Sequence, residues 1–340
     1  MRLSHHPFLL ELRHPFRLAT GMRTHTNVTL TRIELGSFSG DGEAAMPPYY
    51  GETHASSALF LDQAARILEN TGDEFLLLDP DSRSAWIAGI MQEVDAIAAG
   101  NNAAKASVDI ALHNLWSSIE GKPLHVLLGT DPAKMPPTSF TLGIDTPEVL
   151  RQKLSEATGF GIIKIKLGSD DDRAIIRTVR EHSNLPIYAD ANQGWSDRNQ
   201  ALELTYWLAE QGVQLIEQPF HKDDLASSAW LTERSPLPVF ADESFQRMAD
   251  LDRVADSFHG VNVKLMKCTG ISEALRIVEA AKKKAKKLMT GCMTETSCGI
   301  LAAAAIAPLF DYADIDGCWL IKNNPYPEPL LEGGKIVFRH

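Results

Sequence analysis

Cysteine is scarce in this chain, and positive charge is outweighed. Four cysteines among 340 residues (Cys268, Cys292, Cys298 and Cys318) fall in the last quarter without Cys-x-x-Cys spacing. That argues against a disulfide framework or a structural zinc site in a chain of this size. Lys and Arg number 33 against 44 Asp and Glu, a formal net charge of −11. Nucleic acid and anionic membrane are disfavoured as partners, since both are bound through surplus positive charge. Long apolar runs are also missing. The alanine-rich stretch Gly299 to Phe310 falls far short of the ~18–20 residues of a membrane span. Near the N-terminus only Phe8 to Leu10 is apolar before Glu11, too short for a signal-peptide core. A cytoplasmic protein without membrane contact is the expectation. Solenoid repeats are absent, and the run Lys282 to Lys287 reads as a solvated helix face with its stems over apolar surface.

Hydrophobic residues make up 44% and charged residues 23%, which is ordinary for a soluble globular protein. The length is about twice the ~150 residues expected per domain. Phe8–Leu12 and Val28–Glu34 have strand character, with polar loops at Ala19–Asn27 and Met46–Thr53. Helices are expected at Ser56–Glu69, Ser82–Ala99 and Asn101–Glu120, the last strongly amphipathic through Ala104, Val108, Ala111, Leu112, Leu115 and Ile119. From about Pro137, β-rich runs alternate with helical stretches: 139–144, 162–167, 187–191, 215–218, 239–241, 261–265, 288–289 and 311–317. Eight such runs imply βαβ units and a (β/α)8-type barrel of ~250 residues. The N-terminal segment is the remainder, and Leu331–Arg339 reads as a strand returning to it.

The informative feature is a ladder of charge at the strand ends. Lys166, Asp190, Glu217, Asp242 and Lys264 follow one another at about the interval of one βα unit. In a barrel, the C-terminal ends of the strands converge on one mouth, where active sites sit. Lys164 and Lys166 are two apart and share one side of their strand, whereas Ile163, Ile165 and Leu167 face the other. Three carboxylates in one mouth repel each other, and burial raises their pKa values. A divalent cation relieves both problems, and an oxygen-only donor set suits Mg²⁺ rather than zinc. Beside a dication, Lys166 and Lys264 are expected to have depressed pKa values and so to serve as bases. They sit on the second and sixth strands, across the mouth from each other. Two bases on opposite faces of one carbon, with a metal gripping the adjacent carboxylate, suit 1,1-proton transfer through an enediolate.

Taken together, Lys164-Ile-Lys166, Asp190-Ala-Asn-Gln-Gly-Trp195, Ile216-Glu-Gln-Pro219, Ala241-Asp-Glu-Ser244 and Asn262-Val-Lys-Leu-Met-Lys-Cys-Thr-Gly270 resemble the enolase superfamily. Within it they look like the muconate-lactonizing-enzyme subgroup. Pro15-Phe-Arg-Leu-Ala-Thr-Gly21 is similar to that family's first cap hairpin. Lys105 to Asn114 is similar to the helix joining cap to barrel. The resemblance implies a modified (β/α)8 TIM-type barrel with an N-terminal α+β capping domain completed by the C-terminal tail. The expected divisions are 1–115 for the cap, 116–318 for the barrel and its active site, and 319–340 for the tail segment.

Asp314-Ile-Asp316 is similar to the Asp-x-Asp with which the family's dipeptide epimerases bind the substrate ammonium. The resemblance therefore implies a dipeptide epimerase, with Lys166 and Lys264 catalytic and one Mg²⁺ held by Asp190, Glu217 and Asp242. It implies substrate contacts from Lys164, Thr141, Cys292, Asp314, Asp316 and Arg23. Arg23 lies in the loop where the L-Ala-D/L-Glu epimerases place an arginine for glutamate. A small or hydrophobic dipeptide, walled by Met22, Tyr49 or Tyr50, stays open. Two alternatives also remain. One is o-succinylbenzoate synthase, a dehydratase whose anionic substrate has no ammonium for Asp314 and Asp316. The other is a non-catalytic barrel that binds a ligand without needing two bases. Assembly into a homo-oligomer is carried only by the subgroup's habit.

Overall fold

The structure is a computed structural model that describes residues 1–18, 21–69 and 71–338. The chain opens with a three-stranded antiparallel meander: β1 (Arg2–Leu18), β2 (Gly21–Leu35) and β3 (Phe38–Met46). Gly36 begins the tight turn between β2 and β3 with φ 59°, a conformation glycine adopts without steric cost. Four helices follow: α1 (His54–Glu69), α2 (Gly72–Leu77), α3 (Pro80–Ala96) and α4 (Asn102–Glu120). Helix α4 is buried along most of its length because it lies between cap and barrel. Its backbone rests directly on β3. A Cβ at Gly40 would meet the Ala111 carbonyl at 2.1 Å, and one at Gly42 would meet that of Ser107 at 2.0 Å. Only glycine allows that approach. On the barrel side the Asp109 carboxylate of α4 caps helix Ile271–Lys283, accepting the N–H groups of Ile271 and Ser272.

The barrel has eight parallel strands in sequential order: β4 (Ser139–Leu142), β5 (Ile162–Lys166), β6 (Ile187–Asp190), β7 (Val213–Glu217), β8 (Val239–Ala241), β9 (Gly260–Lys264), β10 (Lys287–Gly291) and β11 (Tyr312–Asp314). A parallel bridge from Thr138 to Ala313 joins the last strand to the first. All eight expected runs are strands. Strand parity behaves as the pattern requires: Ile163, Ile165 and Leu167 pack outward with Ile175, Ile176 and Val179 of the next helix. The inward positions below the mouth, Ile162, Tyr188, Leu215, Phe240 and Met289, form an apolar plug with Tyr312. Above this plug the inward positions are polar, apart from Gly291 of β10, where a Cβ would meet the Asn262 amide at 2.4 Å.

Three expectations change. Residues 21–27 are not loop but the first part of β2, paired with β1 as in Phe16↔Arg23. These rungs are mostly polar and carry no apolar alternation, so composition does not reveal them. Strand β3 was not expected, because its two glycines serve α4 rather than a strand pattern. The tail is a hairpin, β12 (Leu330–Glu332) with β13 (Lys335–Val337), that pairs only with itself. It packs beneath the barrel, where the Gly334 carbonyl accepts the Thr138 N–H at 2.7 Å. The return to the cap is made earlier: Lys322 N–H donates to the Glu11 carbonyl at 2.8 Å, and Ile321 bridges Leu12. The lysine run Lys282 to Lys287 lies largely exposed, as expected. Among the described residues no helix is long and apolar enough to cross a membrane.

Candidate active site

Strand register brings the charged ladder to one level. Lys166 pairs with Asp190 and Asp190 with Glu217 across β5, β6 and β7. On the other side Lys264 pairs with Gly291 and Gly291 with Asp314 across β9, β10 and β11. Asp242 follows β8 directly. Asp190, Glu217 and Asp242 each offer an oxygen within 4.8 Å of the others, and all three are buried.

Lysines meet this negative charge. Lys166 Nζ lies 2.6 Å from Asp190 Oδ2, and Lys264 Nζ lies 2.8 Å from Asp242 Oδ2. Lys164 is at the centre. Its Nζ is 2.6 Å from Glu217 Oε2 and 3.0 Å from Asp190 Oδ2, and donates to Asp314 Oδ2 at 2.6 Å. The contact with Glu217 is an ion pair without hydrogen-bond alignment. Asn262 orients the other oxygen of Glu217 through its amide at 2.7 Å.

The protonation equilibria follow from burial and these neighbours. Burial and then Asp190 push Glu217 up to about 8. Burial acts upward on Asp190 as well, but Lys164 and Lys166 outweigh it and hold that carboxyl at about 2. Asp242 falls well below the usual range, where burial is overcome by Lys264 and Lys267. Burial acts to lower Lys264, yet Asp242 and Glu217 lift it well above the ordinary lysine value. Lys164 is raised in the same way by Asp190, Asp314 and Glu217 against its burial.

The donor set fits Mg²⁺. It contains three buried carboxylates, no nitrogen and no sulfur, with one oxygen from each within 4.8 Å of the others.

Above the triad lies a cavity of about 550 Å³. Lys164, Lys166, Asp242, Lys264, Thr141, Cys292, Asp314, Asp316 and Arg23 all line it, so the structure brings these expected residues together. Asp190 and Glu217 are buried beneath its floor. The cap contributes Phe16, Arg23, Tyr49 and Tyr50 to the wall. Met22 is mostly exposed and is not among the lining residues.

The two aspartates at the end of β11, Asp314 and Asp316, do not act alike. Asp314 is bonded by Ser139 Oγ on Oδ1 and by Lys164 on Oδ2, so its charge is already met. Asp316 accepts the Thr141 N–H at 2.6 Å. Burial and the adjacent Asp314 push it up to about 7. Arg23 donates to Thr26 Oγ1 at 3.1 Å and Thr294 Oγ1 at 2.9 Å, and its Nε is buried without a partner.

Some functional neighbours were not anticipated. Glu243 lines the cavity, is pushed up to about 7 by burial and Asp242, and accepts from Asn192. Ser139 is one inward position below Thr141, so strand parity would have exposed it. Asn262, two residues before Lys264 on the same strand, supports Glu217 and could have been found by parity, whereas nothing in the spacing of Lys267 marks its hold on Asp242.

A closed parallel barrel under an α+β cap, with carboxylates on three successive strand ends and lysines on both sides, defines a class of proteins. The Enolase C-terminal domain-like family matches residues 148–332, and the chain belongs to the enolase superfamily, in its muconate-lactonizing and dipeptide-epimerase subgroup. Over 338 residues it is 46% identical to the L-Ala-D/L-Glu epimerase of Bacteroides thetaiotaomicron, covering 99% of this chain and 85% of the relative. It is similar to the dipeptide epimerase from Enterococcus faecalis V583 complexed with Mg and L-Leu-L-Tyr, with TM-score 0.86, 30% identity, and 98% and 95% of the two chains covered. The substrate-liganded L-Ala-D/L-Glu epimerase from Bacillus subtilis superposes with TM-score 0.86 at 28% identity, over 100% of this chain and 96% of the other.

Proposed function

We propose that this chain epimerises dipeptides whose C-terminal residue has an acidic side chain, of the L-Ala-L-Glu type, with Lys166 and Lys264 as the two bases. The wider activity, Mg²⁺-dependent epimerisation of dipeptides, makes the chain an isomerase. Asp190, Glu217 and Asp242 would hold the ion, which supplies positive charge for the substrate carboxylate as negative charge builds there. The remaining work falls to side chains of this chain. One lysine takes the α-proton, so the Cα–H bond breaks and an N–H bond forms. The freed electron pair delocalises into the adjacent carboxylate. The lysine across the mouth then returns a proton to the opposite face, which inverts the carbon. Lys164 stays paired with Asp190, Glu217 and Asp314, and its charge favours the ionised forms of Asp190 and Asp314. Asp316, held by Thr141, receives the substrate ammonium, while Asp314 is occupied by Lys164 and Ser139.

The acidic preference rests on one observation: Arg23 reaches into the cavity with Nε buried and unpartnered. A carboxylate side chain would satisfy it with a charge-assisted hydrogen bond. The dehydratase alternative is disfavoured because an anionic substrate gains nothing from Asp316. A non-catalytic binder has no use for bases on both faces.

The test is incubation of a dipeptide library with the enzyme and Mg²⁺ in D₂O, followed by ¹H NMR. Loss of the α-proton signal of the C-terminal residue, fastest for L-Ala-L-Glu, is the expected result. No exchange with any dipeptide would refute the epimerase. Faster exchange with hydrophobic C-terminal residues would refute the acidic preference alone.

A further inference from the structure

We propose that Lys267 is a positioning residue for the cation site: it holds the Asp242 carboxylate by Oδ1 from behind, so that Oδ2 is the oxygen presented to Mg²⁺. Lys267 lies in the turn after β9, three residues past Lys264. Its Nζ donates to Asp242 Oδ1 at 2.6 Å, the Asp242 carbonyl at 2.7 Å, the Phe245 carbonyl at 2.8 Å and the Asn262 carbonyl at 3.0 Å. An ammonium has three protons, so these acceptors exhaust it. Lys267 is buried and is not among the residues lining the main cavity.

Lys264 reaches the same carboxylate from the other side, on Oδ2 at 2.8 Å, and it does line the cavity. The two lysines can therefore do different things. Lys264 can leave Asp242 for the substrate, because its head opens on the cavity. Lys267 cannot leave without stranding three carbonyls and a carboxylate oxygen in the interior, each at a desolvation cost.

Gln218 completes the grip. Its Oε1 accepts the N–H groups of Asp242 at 2.9 Å and Ser244 at 3.0 Å. Asp242 is thus fixed through its N–H, its C=O and one carboxylate oxygen, which leaves Oδ2 to pass between Lys264 and the cation. A ligand oriented before the cation arrives loses less freedom on binding.

The inference rests on the Mg²⁺ assignment of the triad. It is tested by isothermal titration of Mg²⁺ into the metal-stripped full chain. The variants are Lys267→Met and Lys267→Gln, with Lys153→Met as control. Lys153 is a buried lysine paired with Asp145 at 2.6 Å, and it is not part of the triad's surroundings. The Lys267 variants should bind Mg²⁺ at least about tenfold more weakly, within the range found when a ligand's outer partner is removed. The half-saturating Mg²⁺ concentration in turnover should rise by the same factor, with a much smaller fall in kcat at saturating Mg²⁺. Lys153→Met should lower Tm and leave Mg²⁺ affinity unchanged. A folded Lys267 variant of unchanged affinity would overturn the proposal, as would equal weakening in Lys153→Met. The glutamine variant carries the same readout if the methionine variant does not fold. An unsubstituted chain that binds no Mg²⁺ would sink the cation assignment together with this inference.

Discussion

Arg23, on the second cap strand, donates to Thr294 Oγ1 of the barrel at 2.9 Å. The cap therefore reaches across the mouth with a cation, and that cation's Nε has no partner. Replacing it by methionine keeps apolar bulk over Phe16 and removes the charge. A hydrogen bond to a charged group contributes about 1.5–3 kcal/mol, roughly 10- to 150-fold in kcat/KM. Arg23→Met should lose that factor on L-Ala-L-Glu and little on L-Ala-L-Leu. Equal losses on both substrates would show that Arg23 only joins cap to barrel.

Lys166 and Lys264 approach the cavity from the second and sixth of eight strands. Each should serve one face of the α-carbon. Lys166→Ala and Lys264→Ala should each abolish epimerisation, by at least about 10³-fold, since a positioned acid or base contributes 10²–10⁴ and each turnover needs both. One of them should still exchange the α-hydrogen of a single epimer in D₂O, with the other variant serving the opposite epimer. Full epimerase activity in either variant would refute the assignment.

Asp316 and Asp314 face the same end of the cavity, but only Asp314 is matched by a lysine, at 2.6 Å. Removing charge from Asp316 should therefore be felt by the substrate and little by the fold. Asp316→Asn should raise KM for free-amine dipeptides about tenfold or more and leave N-acetylated ones nearly unaffected. A similar change in both would remove the ammonium role.

The ladder from Lys166 to Lys264 was legible because a βα unit has a characteristic length. The same residue types at that interval can only converge if the strands are parallel. Lys164 was legible by parity with Lys166, and Asp314 and Asp316 by the same spacing. Other features were not. The early rungs of β2 are polar on both sides, so pairing leaves no period to read. Gly40 and Gly42 look like loop residues until α4 lies against them. Lys267 sits in a turn, where spacing says nothing about direction, and its four acceptors come from segments 5 to 25 residues away. Asp316 differs from Asp314 through Ser139, Lys164 and Thr141, which other strands supply.

A second carboxyl pair, Glu43 and Glu295, lies at the junction of cap and barrel. Glu43 of β3 accepts the N–H groups of Thr296 at 3.0 Å and Gly299 at 2.9 Å, at the start of helix Ser297–Ile306. Glu295 turns towards it: a Cβ at Gly299 would meet Glu43 Oε1 at 2.3 Å and Glu295 Oε2 at 2.5 Å. Burial pushes Glu43 up to about 7 despite those N–H groups. Burial and Glu43 push Glu295 well above the carboxylate range. Lys264 acts on Glu295 in the opposite sense, and burial with Glu43 outweighs it. In the unfolded chain a glutamate ionises near 4.5. The folded state therefore holds the proton longer, and its advantage is intact below that pH and lost as pH rises through about 7. At full ionisation the loss is on the order of 3 kcal/mol for Glu43, taking about 1.4 kcal/mol per pKa unit. Glu43→Gln keeps an acceptor for the helix and removes the titration. Urea unfolding at pH 5 and pH 8 should show a smaller loss of stability in the variant than in the parent, with the variant the more stable at pH 8. Parallel pH slopes in the two would mean that this pair does not carry the dependence.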